Sequence, residues 1–283
     1  PAAHVERTAA RISGLLILSG KNTIIRGADA PSAAELPLAD IVGGTETADG
    51  CTFPVSADLV EATLATPLFS SRGKDRFGFD HASYPEHLCA SYLAACTLPQ
   101  VRKLLCVRVA RLERVAPQLG EVAANLANIH PAWCDHLIEH EPEVLLRSDA
   151  SGLDPDRKAR LVASLLSRAA DFKAFEGRHA SLFYHSLAHP GLASQLRPYI
   201  TDPSNNSLVR RMAIGIAGEA DVLELEADLW ARAEANDERL DPIAHTLGKL
   251  AGPQSRERLL QAARGELPDN EGGDLKGDRK SVV

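Results

Sequence analysis

The chain has 283 residues, of which 45% are hydrophobic, 24% charged and only 5% aromatic. This apolar content is enough to bury a core, which excludes a wholly disordered chain. The net charge of −7 argues against a general nucleic-acid-binding protein. No apolar run approaches the roughly 20 residues that a membrane span needs, so no membrane partner is expected.

The cysteines occur at irregular spacings and form no Cys-x-x-Cys pair. No segment with the charge and apolar pattern of a secretory signal is present. We therefore expect reduced, mostly packed thiols and a cytoplasmic location. The cysteines are Cys51, Cys89, Cys96, Cys106 and Cys134.

The first part of the chain combines helical and short strand patterns. Residues 4–18 predict a helix that ends at Gly20, a suitable C-terminal cap. The β-branched run Thr23–Arg26 predicts a small strand. Residues 27–54 are rich in glycine, proline and alanine and predict a loop with at most one short element. Asp58–Leu64 then predicts a second helix.

A mostly helical region follows one further strand. Arg76–Phe79 alternates as a strand does, and after Ser83 the pattern is helical almost throughout. Strands are therefore expected only within about the first 80 residues. Apolar side chains recur at helical spacing in three stripes, which are Leu119, Val122, Ala123, Leu126 and Ile129; Leu161, Val162, Leu165 and Leu166; and Leu208, Val209, Met212, Ala213, Ile216 and Ala217.

Three Asp-Pro pairs adjoin the starts of helical stretches, at Asp154-Pro155, Asp202-Pro203 and Asp241-Pro242. Asp suits an N-cap and Pro the first helical turn. The spacings of 48 and 39 residues match a two-helix unit of HEAT type, although Asp-Pro pairs also occur by chance. Such units stack into a solenoid because none buries its apolar face alone.

A basic stretch stands out in this otherwise acidic chain. We interpret it as a solvated helix face, and a surface for an acidic or phosphorylated partner is the alternative. No aromatic residue lies within it, which argues against stacking on single-stranded nucleic acid. Its members are Arg102, Lys103, Arg108, Arg111 and Arg114.

One short motif matches a zinc site. His136-Leu-Ile-Glu139-His140 fits the H-x-x-E-H pattern of inverted zinc proteases, in which a helix places two imidazoles one turn apart. Glu219 is a candidate third ligand. Two histidines at this spacing also arise by chance on a solvated helix face. A zinc-dependent hydrolase is therefore the second alternative function.

The most informative stretch is residues 77–93, which read FGFDHASYPEHLCASYL. It resembles the end of the winged-helix region in bacterial NACHT-type STAND NTPases, where a phenylalanine-rich strand and a histidine precede a helix opened by Ser-aromatic-x-Glu. Residues 64–70 resemble the segment before that strand. Residues 141–149 and 206–214 resemble the helical-repeat portion of the family.

The resemblance implies a role for His81 close to the β-phosphate of bound ADP, where it would help to hold a resting state. Ser83 and Glu86 would support this nucleotide-sensing motif. A strand end followed by a helix start suits an anion physically, because backbone N–H groups and an imidazole can face it there. The alternative is that His81 only caps the following helix or pairs with Glu86.

The NTPase core of that family has no counterpart in these residues. No phosphate-binding loop, acidic metal-binding strand or arginine finger can be assigned. We therefore expect the chain to hydrolyse neither ATP nor GTP, and assign it no catalytic residue, metal ligand or cofactor of its own. ADP or ATP is implied only for a larger parent protein, of which we expect this chain to be a piece.

These patterns predict a mainly α protein in three parts: a small winged-helix-like α/β region over 1–100, an α-solenoid of HEAT-like helix pairs over 101–268, and a polar tail over 269–283 that we expect to be disordered. The leading function is a regulatory and sensor fragment of a NACHT-like STAND NTPase in bacterial antiviral defence signalling. Its partner would be a protein trigger or the NTPase domain of the same polypeptide. A HEAT-repeat protein-binding scaffold unrelated to nucleotide is the first alternative.

Overall fold

The computed structural model describes residues 2–27, 31–170, 180–234 and 241–250, together with residue 257. Over these residues the chain is 61% helix and 14% strand, which confirms the mainly α class. Pro1–Leu137 and Ile138–Val283 form two compact units. The first unit takes in residues 101–137, which the sequence grouped with the helical repeats. The tail expected over 269–283 lies outside the described residues.

The elements follow one another along the described chain with short connections. The α-helices are α1 (Ala2–Leu18), α2 (Leu38–Ile41), α3 (Ala57–Leu64), α4 (Ser83–Leu93), α5 (Leu98–Leu105), α6 (Gly120–Ala127), α7 (Pro131–His140), α8 (Pro155–Ala170), α9 (Leu192–Thr201), α10 (Ser207–Glu219), α11 (Glu226–Glu234) and α12 (Asp241–Leu250). The strands are β1 (Thr23–Ile25), β2 (Glu35–Pro37), β3 (Thr45–Ala48), β4 (Cys51–Pro54), β5 (Phe69–Gly73), β6 (Arg76–Phe79), β7 (Cys106–Val109) and β8 (Leu112–Val115). Short 3₁₀ helices lie at Pro117–Leu119, Pro142–Arg147, Ala180–Leu187 and Leu223–Leu225.

A small mixed sheet organises the first unit, with the strand order β2-β1-β6-β5. β1 runs parallel to β2 and antiparallel to β6, and β6 runs antiparallel to β5. Ile24 of β1 stands opposite Leu36 in β2 and Phe77 in β6. β3–β4 and β7–β8 form separate antiparallel hairpins.

The core of the first unit is built from buried side chains of α1, α3 and the sheet. Helix α1 ends as the sequence predicts: Gly20 takes a φ of 69°, and the Lys21 N–H donates to the Leu16 carbonyl over 2.8 Å. The buried apolar cluster consists of Ala9, Ile12, Leu16, Ile24, Leu36, Ile41, Val55, Val60, Leu64, Phe69 and Phe79.

A polar cluster around Glu46 joins α1, β3 and α4. The Glu46 side chain is only 7% exposed, and it accepts hydrogen bonds from Arg7 Nε at 2.9 Å and Arg11 Nη1 at 3.2 Å. The Tyr92 hydroxyl donates to Glu46 Oε1 over 3.0 Å, and the Arg7 guanidinium lies 4.5 Å from the centre of the Tyr92 ring. These contacts fix helix α4, which begins at the candidate site.

Helix α10 lies at the centre of the second unit. It packs against α8, α9, α12 and the 3₁₀ helix Ala180–Leu187, while α9 also packs against α11, and α11 against α12. The apolar stripe predicted in α8 is fully buried, and in the stripe of α10 only Leu208 is exposed. These two stripes of the sequence analysis are therefore confirmed as core.

The Asp-Pro pairs differ in what they do. Asp154 Oδ1 accepts from the Arg157 N–H over 2.9 Å, so it caps α8 as predicted. Asp202 instead accepts from the Ser204 N–H over 2.8 Å, in the turn between α9 and α10. The cap of α10 is Asn206, which accepts from Leu208. The N-cap prediction is therefore wrong at Asp202, because four further residues precede α10.

Two hairpins depart from the sequence expectations. β7–β8 lies well beyond residue 80, so the prediction that strands occur only at the start of the chain was wrong. The basic stretch runs from α5 into this hairpin, so its interpretation as one helix face was also wrong. The two turn residues, Ala110 and Arg111, have φ values of 48° and 70°. Such turns usually contain glycine or asparagine, so nothing in the sequence indicated this one. Residues 27–54 contain β2, α2 and the β3–β4 hairpin, so the expected loop with one short element is wrong. This hairpin turns at Asp49-Gly50, a common hairpin pair.

Candidate functional site

The junction between β6 and α4 carries His81. The ring of Phe79 at the end of β6 packs against Phe69, with centroids 4.4 Å apart. The Asp80 N–H donates to the Leu68 carbonyl over 2.9 Å. These contacts anchor the junction to the sheet, and His81 follows in an exposed position.

A side chain at Gly78, in the strand before the junction, would be crowded. A Cβ at Gly78 would lie 3.0 Å from Arg72 Nε and 3.4 Å from the carbonyl oxygen of Asn22. Arg72 is held there because its Nη2 donates to the Phe79 carbonyl over 2.6 Å. The Phe-Gly-Phe pattern therefore reflects an arginine side chain packed across β6.

His81 binds the first residue of α4. Its Nδ1 lies 2.8 Å from Ser83 Oγ and accepts from the Ser83 N–H over 3.3 Å. The N-cap residue itself is Ala82, whose methyl side chain cannot accept a hydrogen bond. The imidazole therefore takes over part of the capping of α4.

This contact also bears on the other ring nitrogen. When Nδ1 accepts from a backbone N–H, the proton of the neutral imidazole resides on Nε2. Within the part of the chain that the structure describes, Nε2 has no hydrogen-bond partner. The Tyr84 ring lies 5.4 Å from the imidazole, centroid to centroid. His81 thus has an oriented ring and an N–H available to a ligand.

Glu86 behaves differently from Ser83. It lies one turn into α4, and its Oε2 is enclosed by protein without a hydrogen-bond partner among the described residues. Burial raises the pKa of Cys89 to about 12, and the Glu86 carboxylate nearby adds to this rise. The structure therefore brings His81 together with Ser83, and gives it no hydrogen bond to Glu86.

An open groove of about 370 Å³ lies beside the junction. Its walls combine apolar side chains with a hydroxyl, an imidazole and an amide. Asn125 reaches it from α6, where its Nδ2 donates to the Glu121 carbonyl over 2.9 Å and so leaves the amide oxygen for other donors. The lining residues are Leu68, Ser83, Tyr84, His87, Leu88 and Asn125.

Sequence reasoning missed two polar members of this groove. His87 follows Ser83 by four residues, so helical spacing alone could have placed both side chains on one face of α4. Asn125 comes from a helix that starts well after α4 ends, and no local pattern in the sequence connects the two. The groove combines these polar groups with an apolar wall, as small-molecule sites commonly do.

The H-x-x-E-H motif lies on α7, as a zinc site would require. The His136 ring stacks on Trp133 with centroids 5.4 Å apart, and His140 Nδ1 lies 4.0 Å from Glu139 Oε2. The candidate third ligand, Glu219, binds Lys249 instead. Over the described ranges no three His, Cys, Asp or Glu side chains come together as a metal site.

No protein-family model, curated protein or solved structure matches the chain. The described helices are all too short or too polar to cross a membrane.

Proposed function

We propose that the chain is the regulatory and sensor part of a NACHT-like STAND NTPase in bacterial antiviral defence signalling, with His81 as its nucleotide-sensing residue. The observation that carries the proposal is the oriented imidazole at the β6–α4 junction. Nδ1 is engaged by Ser83, and Nε2 is left as a donor without a partner among the described residues. The chain itself is non-catalytic and cytoplasmic in this proposal.

The topology of the first unit supports a winged-helix-like region. Helix α1 leads into β1, helix α3 follows, and the β5–β6 hairpin then returns to pair with β1. A helix, a strand, a later helix and a hairpin that pairs with the first strand are features shared with a winged helix, and they support this part of the proposal. β2, α2 and the β3–β4 hairpin are inserted between β1 and α3.

In the proposed mechanism, His81 Nε2–H donates to a phosphate oxygen of ADP that an NTPase core of the same polypeptide holds. A hydrogen bond to a charged acceptor contributes roughly 1.5–3 kcal/mol. Such a contact shifts a two-state equilibrium by about 10- to 150-fold. The winged-helix-like part would thus stabilise the closed state, and a protein trigger would bias the equilibrium towards the open one.

The packing of the second unit supports a trigger-receiving solenoid. Helices α8, α10 and α12 are neighbours in that order, and α9 packs against α11. This pattern fits two layers of alternate helices, with α9 and α10 as one contacting pair and α11 and α12 as the next. This is the relation that stacked HEAT-like pairs produce.

The experiment compares His81→Ala with His81→Asp in the complete protein. An Asp carboxylate can still accept from an N–H two residues on, so it replaces the capping contact, but it carries no donor for a phosphate. We expect both variants to signal without the trigger and to bind ADP about 10- to 150-fold more weakly. Restoration of trigger dependence by Asp would instead make His81 a capping residue and overturn the proposal.

A second candidate function is a HEAT-repeat scaffold that binds protein and has no link to nucleotide. The layered packing of α8 to α12 favours it equally. The two functions can be distinguished by the gene sequence outside this chain and by binding measurements. A phosphate-binding loop in frame with this chain, together with ADP binding, supports the sensor. Trigger binding that is unaffected by nucleotide and by His81→Ala supports the scaffold.

A further inference from the structure

The β7–β8 hairpin presents an apolar face to solvent. In its register Val107 pairs with Arg114 and Val109 with Leu112, and side chains of alternate pairs share one face. Val107, Val109 and Leu112 therefore lie together, and they are 44%, 56% and 57% exposed. Half of the exposed large hydrophobic side chains in the described residues lie in this hairpin or at Leu104 just before it.

The base of the hairpin and Glu113 are held by the rest of the first unit. Val115 at its base is 7% exposed, and the Ala116 N–H donates to the Leu105 carbonyl over 2.8 Å. Arg102 of α5 donates two hydrogen bonds to the Glu113 carboxylate, over 2.8 and 2.6 Å. The exposed face is thus held in one conformation, which lowers the entropy cost of binding to it.

The surroundings of this face are cationic. Lys103, Arg108 and Arg111 are exposed, and none has an ion-pair partner among the described residues. The one acidic side chain in the hairpin, Glu113, is already engaged by Arg102. In a chain of net charge −7, this locally cationic surface favours a partner that supplies carboxylates.

We propose that the β7–β8 hairpin docks an extended segment of another protein in which aliphatic and acidic side chains alternate. The hairpin is a two-stranded sheet, and no third strand pairs with it in the described chain. An added strand would place its aliphatic side chains on the same face as Val109 and Leu112, and its carboxylates on the other face, near Arg108. This site does not depend on the proposed role of His81.

Other occupants fit the face less well. A second copy of the chain would bring two cationic hairpins together, and like charges repel. A lipid surface is usually met by tryptophan or tyrosine at the interface, and neither residue occurs between Leu98 and Val115. Single-stranded nucleic acid needs aromatic stacking partners, which the same stretch lacks.

The test uses fluorescence anisotropy of the whole chain with a labelled ten-residue peptide of alternating Glu and Val. We expect binding that weakens between 50 and 300 mM salt, since screening acts on exposed charges. Val109→Thr, Leu112→Thr and Arg108→Gln should each weaken it roughly tenfold. Leu223→Thr and Arg211→Gln, at exposed positions of the second unit, should leave it unchanged.

Several outcomes would overturn the proposal. One is equal binding of a peptide of alternating Lys and Val, because the charge argument then fails. Another is the absence of peptide binding while vesicles of phosphatidylcholine and phosphatidylserine bind, which would make the face a lipid site. A third is wild-type affinity in the three hairpin variants. Thermal melting of each variant verifies that the hairpin substitutions leave the fold intact, as their exposure leads us to expect.

Discussion

The Nη2 of Arg210 donates to the carbonyl oxygen of Asn205 over 3.0 Å. The same nitrogen lies 3.1 Å from the Pro203 carbonyl and 3.3 Å from that of Asp202. Arg210 is 1% exposed, so its guanidinium is a buried clamp on the turn between α9 and α10. A side chain of α10 therefore stabilises the turn that precedes this helix.

We expect Arg210→Met to destabilise the second unit by about 1–3 kcal/mol, because the turn carbonyls lose a charged donor. Arg211→Met is the matched control, since Arg211 is exposed and should change stability by less than about 0.5 kcal/mol. Thermal unfolding of the two variants measures both effects. Equal melting temperatures would mean that water replaces the guanidinium at the turn.

Glycines in two helices should respond to alanine in opposite directions. At Gly14 a Cβ would lie 2.8 Å from Cδ1 of Tyr92, whose ring is held by Glu46 and Arg7. We expect Gly14→Ala to cost roughly 1–2 kcal/mol, because overpacking outweighs the gain in helix propensity.

At Gly248 in α12 no described atom lies within 4 Å of a Cβ. Gly248→Ala should therefore stabilise the protein by about 0.5–1 kcal/mol, the ordinary difference between glycine and alanine within a helix. Denaturant unfolding of the two variants measures both changes in the free energy of unfolding. Stabilisation by Gly14→Ala would show that Tyr92 can move out of the way.

Thiol reactivity should separate the cysteines by burial. Cys51 is exposed, whereas Cys89 is buried and its pKa is raised to about 12 by burial and by Glu86. At pH 8 Cys89 stays protonated, and the thiol is a poor nucleophile. We expect Cys51→Ser to remove the fast phase of labelling with a disulfide reagent and Cys89→Ser to leave it. Urea should expose both thiols, and loss of the fast phase in Cys89→Ser would contradict the assignment.

The Arg102–Glu113 pair should make the hairpin sensitive to acid. The hydrogen bond from Arg102 lowers the pKa of Glu113 from its usual 4.5. A lowered pKa in the folded state means that the stabilisation is complete above pH 4.5 and disappears as the pH falls through the folded value. The melting temperature lost in Glu113→Gln should thus be larger at pH 7 than at pH 3. Glu224→Gln, at an exposed position, should show no such difference.

The sequence predicted elements well where one face is apolar. Leu161 and Leu165 are both fully buried, because a periodic stripe can be satisfied only by turning it inwards. Arg76–Phe79 is a strand with the predicted bounds, since alternating phenylalanines have one buried face to fill. These elements could therefore be predicted from the local pattern of buried side chains alone.

The parts that local pattern missed depend on partners distant in sequence or on unusual turns. The β7–β8 hairpin turns through Ala110 and Arg111 at positive φ, and neither residue type marks such a turn. Asn125 enters the groove only because α6 packs against α4. The contact of His81 with Ser83, in contrast, is local, and the capping alternative in the sequence analysis describes that contact.

The central position of α10 has a consequence for how the second unit comes apart. Its buried residues extend over most of its circumference, from Val209 to Gly218, and α8, α9 and α12 all cover it. The amide protons of α10 can therefore meet solvent only when those neighbours have already separated. They should exchange with deuterium more slowly than those of the other helices in this unit, at a rate set by its global opening.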